Sequence, residues 1–331
     1  MFVGAFDDFC ERRWPLVTRS VCKYWVVAEE REHQKLAWRV RYWRKHFQRR
    51  RDAMFVQWPT SDPLGHALWV CSWQRSGSTW LAEMLAQQRG TRIVYEPANV
   101  PDGVFSGETS AEKELPMEGD PATFAIIRAL RGVERGEWVD QMPGAHLVRR
   151  RVVKDVRGVG IAPSVREKCP DTPVVFLTRH PIAVARSKVA LGWTSPADVA
   201  DAFAHEIQQW CQVHTAALRD ERLSNVHFVT YEAVRDEPRA RVEAIRDYAV
   251  TFNSTWRGLD VSAMDPGRPS ATNFRNTDVV ATEGWGDLDP ALVHRATELL
   301  GDYGFDSIYN DRPGAQCELD TFVHHLRAAA H

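Results

Sequence analysis

The spacing of apolar positions changes along the chain. In residues 1–59 the apolar period is helical: Leu36, Val40, Trp43 and Phe47 lie four, three and four apart and line one face. The other faces of that helix are basic, with nine Lys/Arg and one acid, Glu32, between Arg31 and Arg51. Such a helix either packs through its apolar stripe with the charges solvated, or uses them against an anionic substrate or a second subunit. The stretch Trp58–Gly65, with Pro59 and Pro63, reads as a connector. Beyond it, short apolar runs alternate with helical patterns. Ala67–Ser72 (ALWVCS), Ile93–Tyr95, Val152–Val153, Val174–Thr178 (VVFLT) and Val226–Tyr231 predict strands. Thr79–Arg89 predicts a helix closed by Gly90. Ser195-Pro196 caps a long amphipathic helix through Val199, Phe203, Ile207, Trp210, His214 and Leu218. Another helix begins near Pro238, and Asp289-Pro290 opens a last long helix ending near Gly301. Strands alternating with helices predict an α/β fold with a parallel sheet covered on both faces. The division expected is a helical extension, 1–59, and one α/β domain, 60–331.

Composition narrows the function. The chain has 331 residues, a formal net charge of −2 and 44% hydrophobic residues, which excludes a wholly disordered chain and argues against a dedicated nucleic-acid binder. No apolar run approaches the roughly 18 residues that span a bilayer, and the acids and arginines of MFVGAFDDFCERRW interrupt any signal-peptide core. The six cysteines (10, 22, 71, 169, 211, 317) form no CxxC pairs, so the expectation is a reduced, cytoplasmic protein with neither a zinc site nor a disulfide framework. Thirteen tryptophans leave room for an aromatic-lined cleft.

Two loops carry candidate chemistry. In the first, a strand runs through Trp73-Gln74-Arg75-Ser76-Gly77-Ser78-Thr79 into a helix. Backbone N–H groups at such a turn point at an anion, Gly77 permits close approach, and the Ser78 and Thr79 hydroxyls add donors. A Walker A loop requires Gly-Lys, and no Gly-Lys pair occurs in the chain; the cation here is Arg75, before the glycine. The alternative is an ordinary Ser/Gly-rich turn capping a helix. In the second, VVFLT runs into Arg179-His180-Pro181, and Ser187 lies eight residues after Arg179. An arginine at a strand end can grip a phosphate bidentately, and a serine two helical turns on can donate to the same group.

The segment CSWQRSGSTWLAEMLAQQRGTRIVYEP resembles the 5′-phosphosulfate loop of sulfotransferases that use 3′-phosphoadenosine-5′-phosphosulfate (PAPS). Arg179 followed by Ser187 resembles that family's 3′-phosphate motif. Lys154-Asp155 resembles its central lysine-bearing strand, and Phe228–Glu232 its late strand segment. Tyr95-Glu96-Pro97 narrows the likeness to carbohydrate 6-O-sulfotransferases and, more distantly, tyrosylprotein sulfotransferases; Arg75 in place of lysine weakens the aryl and steroid branch. The resemblance covers about residues 66–305 and implies a P-loop-like parallel sheet flanked by helices. It implies PAPS as donor co-substrate, no metal, and donor contacts from Arg75, Ser76, Gly77, Ser78, Thr79, Trp80, Arg179 and Ser187. Arg275, with Arg268, is the candidate for a last donor loop. Glu96 would be the general base, and Arg75 and Lys154 would stabilise the leaving group.

Those roles leave alternatives. Glu96 could merely pair with Arg75, and Lys154 with Asp155 or Asp171. His180 is a poor base because it stands on the 3′-phosphate side. The acceptor expected is a hydroxyl of a sugar or glycosylated small molecule; a phenolic hydroxyl on a peptide or aromatic metabolite is the alternative, and a non-catalytic nucleotide-binding protein another. No nucleic-acid partner is expected, and the N-terminal helix is the candidate homo-oligomer contact.

Overall fold

The computed structural model describes residues 66–87, 90–99, 121–132, 134, 138–140, 149–190, 199–268, 285 and 288–329. Five strands form one wholly parallel sheet: β1 (Ala67–Ser72), β2 (Thr91–Tyr95), β3 (Arg150–Asp155), β4 (Val174–Thr178) and β5 (His227–Thr230), in the order β2-β3-β1-β4-β5. Parallel strands covered on both faces read as continuous apolar runs, which is why ALWVCS and VVFLT were legible. The helices are α1 (Ser78–Ala86), α2 (Pro121–Leu130), α3 (Ala162–Lys168), α4 (Pro181–Ala190), α5 (Val199–Arg219), α6 (Tyr231–Asp236), α7 (Pro238–Phe252), α8 (Pro290–Asp302) and α9 (Leu319–Ala328).

Side-chain alternation along the strands splits the core into two layers. Leu68, Val70, Val152, Val175, Leu177 and Val229 pack with Leu81, Met84 and Leu85 of α1 and Val242, Ile245 and Ala249 of α7. On the other face, Trp69, Cys71, Val153 and Phe176 pack with Ile126 of α2, Phe203, Ile207 and Trp210 of α5, Leu300 of α8 and Phe322 of α9. β3 and β4 are consecutive in the chain yet flank β1 on opposite sides. A crevice therefore opens at the carboxyl ends of these strands, where ligands of such sheets bind.

Several boundaries differ from the sequence reading, each for a local reason. The helix expected over Thr79–Arg89 starts at Ser78 and ends at Ala86, with the Gln87 N–H bonded to the Met84 carbonyl. The last predicted strand stops at Thr230, whose hydroxyl accepts the Ala233 N–H and starts α6 at once. Asp289 caps α8 as expected, and a shorter helix not anticipated from sequence follows it: Leu319, Phe322, Val323 and Leu326 form the buried stripe of α9. α2 and α3 were not anticipated. The 1–59 extension, its basic 31–51 helix, the 58–65 connector, the Ser195-Pro196 cap and Arg275 lie outside the described residues. No helix among the described residues is long and apolar enough to cross a membrane.

Candidate active site

β1 ends at Ser72, and the chain turns through Trp73–Gly77 before α1 begins at Ser78. Gly77 has φ +81°, and a Cβ there would come within 2.4 Å of the Tyr231 ring, so the position admits glycine alone. Arg75 also has positive φ, +63°, without being glycine. A non-glycine residue held there costs on the order of 1–3 kcal/mol, and such strain gathers at functional sites. Ser76 is fully buried, and neither its hydroxyl nor the Gln74 side-chain oxygen Oε1 has a hydrogen-bond partner. The first-turn N–H groups of α1 have no carbonyl of their own helix to bond. Open donors and an unpartnered hydroxyl around a glycine make a cradle suited to a phosphate-type anion.

The second loop closes on the first. Arg179, just past β4, donates from Nη1 to the Arg75 carbonyl at 2.9 Å, and its guanidinium lies 4.5 Å from the centre of the Tyr231 ring. Arg75 in turn donates from Nε to Ser187 Oγ of α4 at 2.9 Å. Residues 112 positions apart thus meet at one point. Burial, and next the charge of Arg179, hold the Arg75 guanidinium below its ordinary pKa. Two crowded guanidiniums are relieved by an anion placed between them. Arg179 Nε is buried and has no hydrogen-bond partner.

A third group stands at the ends of β2 and β3. Tyr95 and Lys154 are opposite in register, and the Lys154 ammonium lies 4.5 Å from the Tyr95 ring centre. Glu96 follows with φ +42°; its N–H donates to the Lys154 carbonyl at 2.7 Å, and its own carbonyl accepts from Trp138 Nε1 at 3.1 Å. The Lys154 ammonium donates to Glu96 Oε1, and both side chains are buried. The Tyr95 hydroxyl bonds Glu96 and Thr79, which links this pair to the first loop. Burial, then the Glu96 charge, push the Tyr95 phenol well above its usual pKa. Asp155 accepts the Ala98 N–H at 2.9 Å and the Arg157 N–H at 2.7 Å, and burial pushes its carboxyl up to about 6.

The profile of the Sulfotransferase family matches residues 68–250, more than half of the chain and all of these groups. The chain belongs to the sulfotransferase family. Solved structures similar to it include a sulfotransferase from Alicyclobacillus acidocaldarius (13% identity, 81% of this chain and 97% of that one covered, TM-score 0.40). Mouse sulfotransferase SULT7A1 complexed with PAP is another (15%, 81% and 90%, 0.44), as is sulfotransferase STF9 from Mycobacterium avium (14%, 76% and 79%, 0.40). Comparison with the curated proteins yields no match.

Within this sulfotransferase, the candidates named from sequence fall in distinct places. Arg75, Ser76, Gly77, Ser78, Thr79, Arg179 and Ser187 belong to the two facing loops. Trp80 packs edge-on to Tyr231, with ring centroids 6.0 Å apart, and donates from Nε1 to the Pro266 carbonyl at 3.2 Å. Arg268 is an exposed turn residue whose N–H bonds the Asp265 carbonyl at 3.3 Å. Lys154 meets Glu96, a pairing different from those weighed in the sequence. His180 is fastened by its ring: Nε2 lies 3.0 Å from the Asn310 carbonyl, and Nδ1 accepts from the Ile182 N–H at 3.3 Å. Burial drives its pKa down to about 3, which suits a neutral structural imidazole. Tyr95, Tyr231 and Glu232 lie in segments that carried the family likeness but were given no role in the site, and Trp138 was not singled out. The one available signal was position, because Tyr95 and Tyr231 sit at carboxyl ends of strands.

Proposed function

We propose that this sulfotransferase takes its sulfuryl group from PAPS and transfers it to a hydroxyl of a sugar or glycosylated small molecule. The observation that carries the donor reading is the meeting of Arg75, Ser76 and Gly77 with Arg179 and Ser187. The residues present fit a donor with two phosphate-type ends: one cradle at the start of α1, one arginine and serine beside it, and buried polar atoms of Ser76 and Arg179 without partners. The PAP bound to SULT7A1 agrees with that fit. Ser76, the α1 N-terminus and Arg75 would hold the 5′ end, and Arg179 and Ser187 the 3′-phosphate; PAPS supplies the activated sulfuryl group when bound. Arg75 and Lys154 neutralise charge at the leaving oxygen. Glu96 takes the acceptor proton as the acceptor oxygen bonds to sulfur and the bond from sulfur to the bridging oxygen breaks. Its pairing with Lys154 and Tyr95 keeps the carboxylate oriented at the crevice. Tyr95-Glu96-Pro97 favours the carbohydrate acceptor, and competition between glycans and phenols tests that choice. The cysteine usage supports a cytoplasmic setting.

The donor reading is tested by heat. 3′-Phosphoadenosine-5′-phosphate should raise the melting temperature by mass action, and ATP, which lacks the 3′-phosphate, should raise it less. Arg179→Ala should reduce affinity for that nucleotide about tenfold or more, since losing a buried charge-assisted partner typically costs on the order of 2–5 kcal/mol. Equal shifts from both nucleotides, or unchanged affinity in a folded Arg179→Ala protein, would remove the 3′-phosphate site.

A further inference from the structure

The end of β5 touches both phosphate loops. Tyr231 lies against Gly77 of the first loop and under the Arg179 guanidinium of the second, 4.5 Å away. The next residue, Glu232, is buried, and its Oε1 accepts the His180 N–H at 2.9 Å. That N–H belongs to the residue between Arg179 and the first residue of α4, so the bond fixes the turn from which Arg179 departs. Glu232 Oε2 is also buried and has no hydrogen-bond partner. Burial pushes the Glu232 carboxyl above its ordinary pKa, against the bond from the His180 N–H and the charges of Arg179 and Arg235. A carboxyl so placed is expensive unless it holds something in register. The rest of the turn is held as well: His180 is bonded at both ring nitrogens and lies 4.9 Å from the Trp285 and Tyr309 rings.

We propose that Glu232 is a positioning residue: by accepting the His180 N–H it sets Arg179 at the distance from the first loop that a 3′-phosphate requires. This rests on the donor reading above. A plain helix-capping role for Glu232 at the start of α4 makes a different prediction. It would lower stability and weaken every nucleotide alike, whereas the positioning role acts on the 3′-phosphate alone.

The test titrates the full chain with 3′-phosphoadenosine-5′-phosphate and with adenosine 5′-phosphate, on wild type and on Glu232→Ala, Glu232→Gln and Glu232→Asp. Wild type should prefer the 3′-phosphorylated nucleotide about tenfold or more. Glu232→Ala should bring that preference down about tenfold, with affinity for adenosine 5′-phosphate changed less than about threefold. Glu232→Gln, whose amide oxygen still accepts the His180 N–H, should restore most of the preference. Glu232→Asp folds under milder demands and, one methylene short, should lose an intermediate share. Preference kept in Glu232→Ala or Glu232→Asp, or equal loss for both nucleotides, overturns the positioning role while leaving the donor reading intact. A wild type without preference overturns the donor reading and this inference together.

Discussion

Among the described residues two lysine–glutamate pairs are buried, Glu96–Lys154 beside Tyr95 and Lys188–Glu206 beside Trp73. Their side chains are similarly shielded, 3% and 9% exposed in the first and 5% and 9% in the second. Their settings differ. Lys188 and Glu206 project from the regular helices α4 and α5, and the Lys188 ammonium lies 5.5 Å from the Trp73 ring centre. Glu96 follows a strand end in left-handed backbone, at φ +42°. Among the described residues only Arg75 shares positive φ without being glycine, and Tyr95 and Thr79 bridge the two places. A pair whose only task is to join two elements needs no such backbone. On the function proposed above the strand-end pair carries chemistry and the helix pair only packs, and the contrast in backbone supports that reading.

The largest expected effect tests the first half of that contrast. Glu96→Gln keeps the size of the side chain and removes the proposed base, so turnover should fall about 10²–10⁴-fold. Donor affinity should change little, because the two phosphate loops are untouched. Turnover and donor binding are measured on the same protein with a competent acceptor. Near wild-type turnover would eliminate Glu96 as base, and a parallel loss of donor affinity would assign it to orienting the cradle.

The second half predicts an effect on stability. Glu206→Gln leaves the Lys188 ammonium buried with only a neutral partner, and breaking such a pair typically costs about 3–5 kcal/mol. Denaturant unfolding should show that loss, while turnover measured well below the melting temperature stays within about threefold of wild type, as for a change outside the reacting centre. The double replacement Lys188→Met with Glu206→Leu should recover most of the stability, since apolar side chains of similar volume often substitute for a buried ion pair at no cost. The matching replacement of Lys154 and Glu96 should leave the protein folded and inactive. Equal loss of turnover in both doubles would erase the distinction between the pairs.

How much of this was legible depended on whether a feature is local. The β1 and β4 strands and both phosphate loops were readable because apolar runs, a Ser/Gly turn and an arginine at a strand end act within a few residues. The family likeness then supplied the expectation that Arg75 and Ser187 serve one ligand; in the structure Arg75 donates from Nε to Ser187 Oγ at 2.9 Å. Lys188–Glu206 was not readable: nothing in either helix says which faces meet across the α4–α5 contact. The Glu96–Lys154 pair was missed for the same reason, since strand order decides that β2 lies beside β3 and register decides that Tyr95 lies opposite Lys154. α2 escaped notice, and α9 lay past the resemblance, although its Leu319, Phe322, Val323 and Leu326 stripe is plain.

The smallest expected effect concerns charge around the strand-end pair. Asp155 follows Lys154 and ties down Ala98, two residues beyond Glu96, by accepting its N–H. Burial is the main reason its pKa rises to about 6 from 3.8; the Glu96 charge adds to the rise, and the bonds from Ala98 and Arg157 oppose it. A carboxyl with a raised folded pKa has a definite sign. Below about 4 it is protonated in folded and unfolded chains and contributes nothing to the pH dependence. Between about 4 and 6 the folded chain keeps a proton that the unfolded chain has released, so stability falls as pH rises. Above about 6 the penalty is complete. At about 1.4 kcal/mol per pKa unit, a gap of roughly two units makes it on the order of 2–3 kcal/mol. His180 and His214, each held near 3 by burial, act in the opposite sense and cost stability as pH falls below about 6.5. The comparison must therefore be wild type against Asp155→Asn, in which the histidine contributions cancel. Asparagine forfeits one of the two N–H bonds, a cost that does not change with pH. Unfolding free energies from pH 4 to 7 should show wild type losing roughly 2–3 kcal/mol relative to Asp155→Asn across that interval. A constant difference would mean that Asp155 titrates alike in the folded and unfolded chains, so that burial beside the strand-end pair does not lift its pKa, and the contrast with the helix pair would then rest on backbone conformation alone.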